Sequence, residues 1–182
     1  CGVSLQVGDE RGGQVKMEME QGEISGVRNV LRVISRGTVL YGETLFGECS
    51  VNSWLEWSMS SVEQYCNQYL YPVEKIENSD YWLMKEALDI VLDHLIVLDS
   101  HLKENTFLVG RYVTIADIFV ALYLAPVFSE VLSKKHASKF GGVQRWINTV
   151  LNQPIVAAHI DPDSFSWFCK NSPIPNNPPK SN

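Results

Sequence analysis

The spacing of hydrophobic and polar residues changes period along the chain. In "CGVSLQVG" Val3, Leu5 and Val7 alternate with other residues, and in "GQVKMEMEQG" Val15, Met17 and Met19 alternate with Lys16, Glu18 and Glu20. Alternation of this kind predicts two half-buried strands, the second with one wet face. The spacing then becomes helical. In "SGVRNVLRVIS" Val27, Val30, Leu31 and Ile34 fall on one face, with Ser25 placed to cap the helix and Gly37 to end it.

From Ser50 onward every periodic segment is helical. Val51, Trp54, Leu55, Met59, Val62 and Cys66 form one stripe, stopped by Pro72. A second helix is predicted from about Asp80 to Lys103, with Leu83, Ala87, Leu88, Val91, Leu92, Leu95, Leu98 and Leu102 inward. A third starts near Thr114. Its sequence "IADIFVALYLA" is apolar all round, which predicts a central helix, and Pro126 predicts a kink. Residues 133–141 read as a polar loop, "GVQRWINTVLNQP" as a fourth helix ending before Pro154, and "IVAAHI" and "PDSFSWF" as short surface turns. The tail "NSPIPNNPPKSN" holds four of the eight prolines and reads as an extended linker to something further downstream.

Asp117 interrupts the apolar third helix. Thr114-Ile115-Ala116-Asp117 has the form of a capping box: the Thr hydroxyl accepts from a backbone N–H near Asp117, and the carboxylate reaches back to the N–H of Thr114. A buried helix start cannot use water for its free N–H groups, so Asp117 is expected to be structural rather than catalytic.

Composition narrows the function classes. The net charge is -6, with 45% hydrophobic and 20% charged residues, a balance that suits a soluble globular protein and disfavours general binding to phosphate backbones. No stretch reaches the roughly 18 apolar residues of a membrane span, and no signal peptide opens the sequence. Cys1, Cys49, Cys66 and Cys169 are scattered, so reduced thiols in the cytoplasm are expected rather than a disulfide framework. His94, His101, His136 and His159 form no metal-binding pattern, although His94 and His101 could share a helix face. No metal and no cofactor are expected. The first residue is Cys1, so the initiator was removed or the sequence starts inside a longer protein. Two basic groups could touch phosphates or an acidic partner. Arg28, Arg32 and Arg36 form a stripe on one helix, and Lys134, Lys135, His136 and Lys139 cluster in the polar loop.

"TFLVGRYVTIADIFVALYL" resembles the hallmark of the C-terminal helical half of the glutathione transferase fold. "NSWLEWSMSS" is similar to the first helix of that half in the versions attached to glutamyl- and methionyl-tRNA synthetases. "GVRNVLRVISRGTVLYG" resembles the third helix of their thioredoxin-like half, and "GVQRWINTVL" their penultimate helix. The resemblance covers about residues 2–160 and extends to multisynthetase scaffolds, tRNA-binding cofactor proteins and the gamma subunit of elongation factor 1B. It implies a reduced α/β thioredoxin-like half over 1–48, an all-α helical bundle half over 49–168, and a linker over 169–182.

The resemblance also sets two functions against each other. A glutathione transferase has a nucleophile-stabilising Tyr, Ser or Cys at the end of its first strand and a cis-proline loop before its third. Here no proline precedes Pro72, the region before Ser50 is short, and Glu23-Ile24-Ser25 interrupts the acidic-serine element that holds glutathione. Cys1 has no adjacent histidine to activate it. Catalysis is therefore not expected. The resemblance implies instead a docking or dimerisation domain of a tRNA aminoacylation component. Its partners would be aminoacyl-tRNA synthetases, a scaffold with like domains, or a second copy. Transfer RNA would be reached indirectly, through a downstream domain, with direct contact by the two basic groups as the further alternative. One implied surface uses the helices at 25–35 and 50–69, with Arg28, Arg32 and Trp57 as contact residues. The other centres on Arg145, an Arg just before Trp146. The alternatives are a glutathione transferase-type enzyme and an elongation factor 1B gamma-type domain.

Overall fold

A computed structural model describes residues 4–6, 15–65, 81–128, 132 and 134–159. Cys1, Cys66, Pro72, Cys169 and the linker at 169–182 lie outside them. Strands β1 (Ser4–Gln6), β2 (Lys16–Met19) and β3 (Gly22–Ser25) form an antiparallel sheet in that order. Met17 pairs with Leu5 on one side and Ile24 on the other, and its side chain is buried. The alternation seen in "VKMEME" thus predicts β2, but β3 was not expected. Apart from partly buried Ile24, its residues are exposed, so no apolar period marks it.

Ser25 closes β3 rather than capping a helix. Helix α1 (Val27–Ser35) starts from Gly26, which makes no side-chain cap, and Gly37 ends it at φ 80°. Only Val30 of the expected apolar face is fully buried, with Leu31 packed partly on the core. Val27 and Ile34 are exposed, because α1 also turns its arginines toward the helical half.

Helix α2 (Leu45–Ser58) begins ahead of the expected Ser50, capped by the Thr44 hydroxyl, which accepts from Gly47 N–H at 3.1 Å. Leu45 and Phe46 are exposed, so the first turn carries no inward stripe to reveal it. The helix then widens into a π-helical turn, Met59–Glu63. Local serines meet the carbonyls of this stretch: Ser58 Oγ donates to Leu55 O at 2.8 Å, and Ser60 Oγ lies 3.3 Å from Glu56 O and Trp57 O.

The remaining elements are α3 (Tyr81–Glu104), α4 (Ile115–Pro126), α5 (Lys134–Ala137), α6 (Gly141–Leu151) and α7 (Pro154–Ala157). The central helix is α4, as its all-apolar surface requires. Ala116, Val120, Ala121, Leu124 and Ala125 are fully buried, and α4 packs on α2 and α6, with α3 against α6. Pro126 is the last residue of α4, and the chain runs on from it in helical geometry, with Val127 and Phe128 in a π-helical stretch. The expected polar loop contains α5, and it sinks Ala137 and Phe140 into the core. Among the described residues, no helix is long and apolar enough to cross a membrane.

Candidate functional site

Three polar centres stand out among the described residues, each built by a different logic. The first is Asp117. Its side chain is fully buried, and Oδ1 accepts from Leu108 N–H and Trp146 Nε1–H, both at 2.8 Å. Oδ2 accepts from Thr114 N–H at 2.8 Å and from the Thr114 hydroxyl at 2.7 Å, within a complete capping box. Burial pushes the carboxyl above its ordinary pKa, while the bonds from Leu108, Trp146 and Thr114 pull it back. With two donors on each oxygen, the group ties the start of α4 to the preceding loop and to α6. The capping box that the sequence pattern of Thr114 and Asp117 predicts is present.

The second centre lies where α1 meets α2, the π turn and α4. Arg28 pairs with Glu63, and its guanidinium carbon sits 5.6 Å from the centre of the Phe119 ring. Glu63 also accepts from the Tyr123 hydroxyl at 3.2 Å. One turn along, Arg32 reaches Glu56 at 2.6 Å and Asn52 Oδ1 at 2.7 Å, and Asn52 in turn bonds Tyr41. Arg28, Arg32, Glu56, Glu63, Phe119 and Tyr123 line a cavity of about 360 Å³. The structure therefore brings Arg28 and Arg32 together, as the helical spacing implies, but turns both toward carboxylates of their own chain. Arg36 is exposed and stands apart. Glu56 and Glu63 were not singled out in the sequence. Their seven-residue spacing on one helix, matching arginines four apart on another, was the available signal.

Trp57, an expected surface contact, is half-buried in an aromatic layer between α2 and α3. Its ring lies 5.3 Å from Trp54 and 6.1 Å from His94, and Trp54 lies 4.9 Å from His101. His94 and His101 do share a helix face, and they use it for this packing. His101 Nε2 also lies 3.1 Å from Leu108 O.

The third centre is a reciprocal clasp between α3 and α6. Asp99, buried on α3, accepts from the N–H groups of Gly142 at 2.8 Å and Val143 at 3.1 Å, capping the start of α6. Lys103 Nζ meets its other oxygen at 2.7 Å. In return Arg145 of α6 donates to Leu102 O and, at 3.1 Å, to Asn105 O at the end of α3, where a cation suits the helix dipole. The guanidinium of Arg145, expected at a subunit contact, is thus engaged within its own chain, although the residue as a whole is exposed.

Residues 63–154 match the family model of the glutathione S-transferase C-terminal domain. The chain is 34% identical over 115 residues to elongation factor 1-gamma-A of Xenopus laevis, covering 63% of this chain and 26% of that protein. It is 29% identical over 143 residues to elongation factor 1-gamma 2 of Oryza sativa subsp. japonica, covering 76% and 34%. It therefore spans only 26% to 34% of the length of these relatives. Among solved structures, the GST-like domain of elongation factor 1-gamma from Saccharomyces cerevisiae superposes with a TM-score of 0.74 at 15% identity, covering 87% of this chain and 77% of that one. Poplar glutathione transferase F1 gives 0.68 at 17%, covering 79% and 71%.

Proposed function

The chain belongs to the glutathione S-transferase C-terminal domain family, and on that premise we propose that it is a non-catalytic docking domain of the translation elongation machinery, in the manner of elongation factor 1-gamma. The observation that carries this reading is the sequence similarity to proteins of that name over 115 and 143 residues. The cleft between the halves supports its non-catalytic side. A peptide thiol such as glutathione is anionic and would need cations there, and Arg28 and Arg32 are already neutralised by Glu63 and Glu56. A partner protein of the elongation factor 1 assembly is the expected ligand.

Docking to aminoacyl-tRNA synthetases is the competing reading. It rests on the resemblance of "NSWLEWSMSS" and of the Arg145-Trp146 pair to synthetase-linked domains. One experiment separates the two. The purified chain is immobilised and offered elongation factor 1 subunits and, separately, glutamyl- and methionyl-tRNA synthetases. Retention of an elongation factor subunit alone is expected. Retention of a synthetase alone would move the function to aminoacylation. A parallel assay offers glutathione and an electrophilic aryl halide. Turnover that disappears on changing Cys1 or Ser25 would make the protein an enzyme and end the non-catalytic reading.

A further inference from the structure

A groove of about 370 Å³ opens between α3 and the segment around α5, away from the arginine cleft. Leu92, Ile96 and Phe140 give it an apolar floor. Leu92 and Ile96 sit four apart on α3, off the inward row of Val91, Leu95, Leu98 and Leu102. Leu92 still reaches the core with part of its side chain, but Ile96 is 59% exposed, which the chain's own packing does not explain.

The rim of this groove has the opposite sign to the protein. Lys103, Lys139 and His136 line it. Residues 131–160 carry Lys134, Lys135, Lys139 and Arg145 without a single Asp or Glu, in a chain whose net charge is -6. Asp99, the carboxylate in the lining, faces both Lys103 and the positive end of α6, so its charge is more than balanced.

We infer that this groove docks an acidic amphipathic segment of a partner protein. Large apolar side chains of the partner cover Leu92, Ile96 and Phe140, and its Asp and Glu side chains face Lys139 and Lys103. The inference rests on the docking reading and names the chemistry of the partner. The apolar floor favours a peptide over a polynucleotide. A nucleic acid would use the lysines but has no need of Ile96, and Phe140 is too deeply buried to stack a base.

The test uses the whole 182-residue chain and a fluorescent synthetic peptide with leucines at helical spacing and glutamates between them. Controls are a scrambled version, a version with lysine for glutamate, and oligouridylate. The acidic amphipathic peptide should bind at least about tenfold more tightly than any control. Ile96→Glu and Lys139→Glu should each weaken it about tenfold without moving the Tm, since both side chains are exposed. Equal binding of the scrambled peptide would reduce the effect to charge alone and overturn the inference. So would oligouridylate binding that is lost with Lys139→Glu but kept with Ile96→Glu, or no peptide binding at all. If both variants still retain an elongation factor subunit at full strength, the groove is wrong and the docking function stands. If the unaltered chain retains no subunit, the docking function itself fails.

Discussion

Removing the carboxylate of Asp117 would strand two buried backbone N–H groups and the indole N–H of Trp146 together. Each unsatisfied buried donor costs about 1–3 kcal/mol, and losing a helix cap costs about 0.5–2 kcal/mol. Asp117→Ala should therefore lower stability by on the order of 3 kcal/mol or more, read as a shift in urea midpoint. An unchanged midpoint would mean that the donors find other partners. The same residue sets a pH dependence. Burial raises its folded-state pKa above the unfolded value of about 3.9. The associated stability is present below the unfolded value and is lost as pH rises through the folded one. Across that window the unaltered protein should lose stability relative to Asp117→Asn, which cannot titrate. The opposite slope would show that the four hydrogen bonds outweigh burial. The half of this centre that is local, Thr114 with Asp117, could be read from three residues of spacing. The half that reaches Trp146, 29 positions away, could not, because nothing in a linear pattern says which tryptophan will pack there.

At the scale of elements, the α3–α6 clasp makes two predictions. A Cβ at Gly142 would lie 3.0 Å from Asp99 Oδ1, 3.1 Å from Asp99 O and 3.3 Å from Lys103 N. Backbone atoms cannot swing aside, so Gly142→Ala should cost about 1–3 kcal/mol, visible as a lowered Tm. Wild-type stability in that variant would show that α6 can slide along α3. Arg145→Ala should cost about 1 kcal/mol in stability, discounted for its exposure, because it uncaps the end of α3. Weakened association at unchanged Tm would instead restore Arg145 to a subunit interface. Long helices with strong stripes were legible: α3, α4 and α6 begin and end close to where their apolar spacing places them. The exposed strand β3, the first turn of α2 and the π turn were not, since each lacks an inward apolar residue or departs from the period that reveals helices.

Across the whole molecule, the α/β half is fastened to the helical half by charge as well as by packing. The Arg28 and Glu63 side chains are each 23% exposed, so their pair is only partly screened by water. Replacing both Arg28 and Arg32 by Ala should loosen α1 and the β2–β3 hairpin while the core of α3, α4 and α6 holds. Faster amide hydrogen exchange confined to residues 16–35 is the expected readout. Uniform acceleration across all helices would mean that the arginines support global stability instead. The two-half architecture was legible because the period changes from alternating to helical. The fastening was not, because it depends on which face of α1 turns inward.

The π turn has a history of its own that can be looked for. A widened turn arises when one residue is inserted into an α-helix and the chain accommodates it without breaking. Deleting a single residue there, such as exposed Ser60, would restore an ordinary helix. Because the wide turn absorbs the extra residue, Glu63 and everything after it would keep nearly the same rotation relative to the start of α2. The Arg28–Glu63 pair would then survive the deletion. In a gene family, the cation at 28 and the acid at 63 should therefore be inherited together whether or not the extra codon is present.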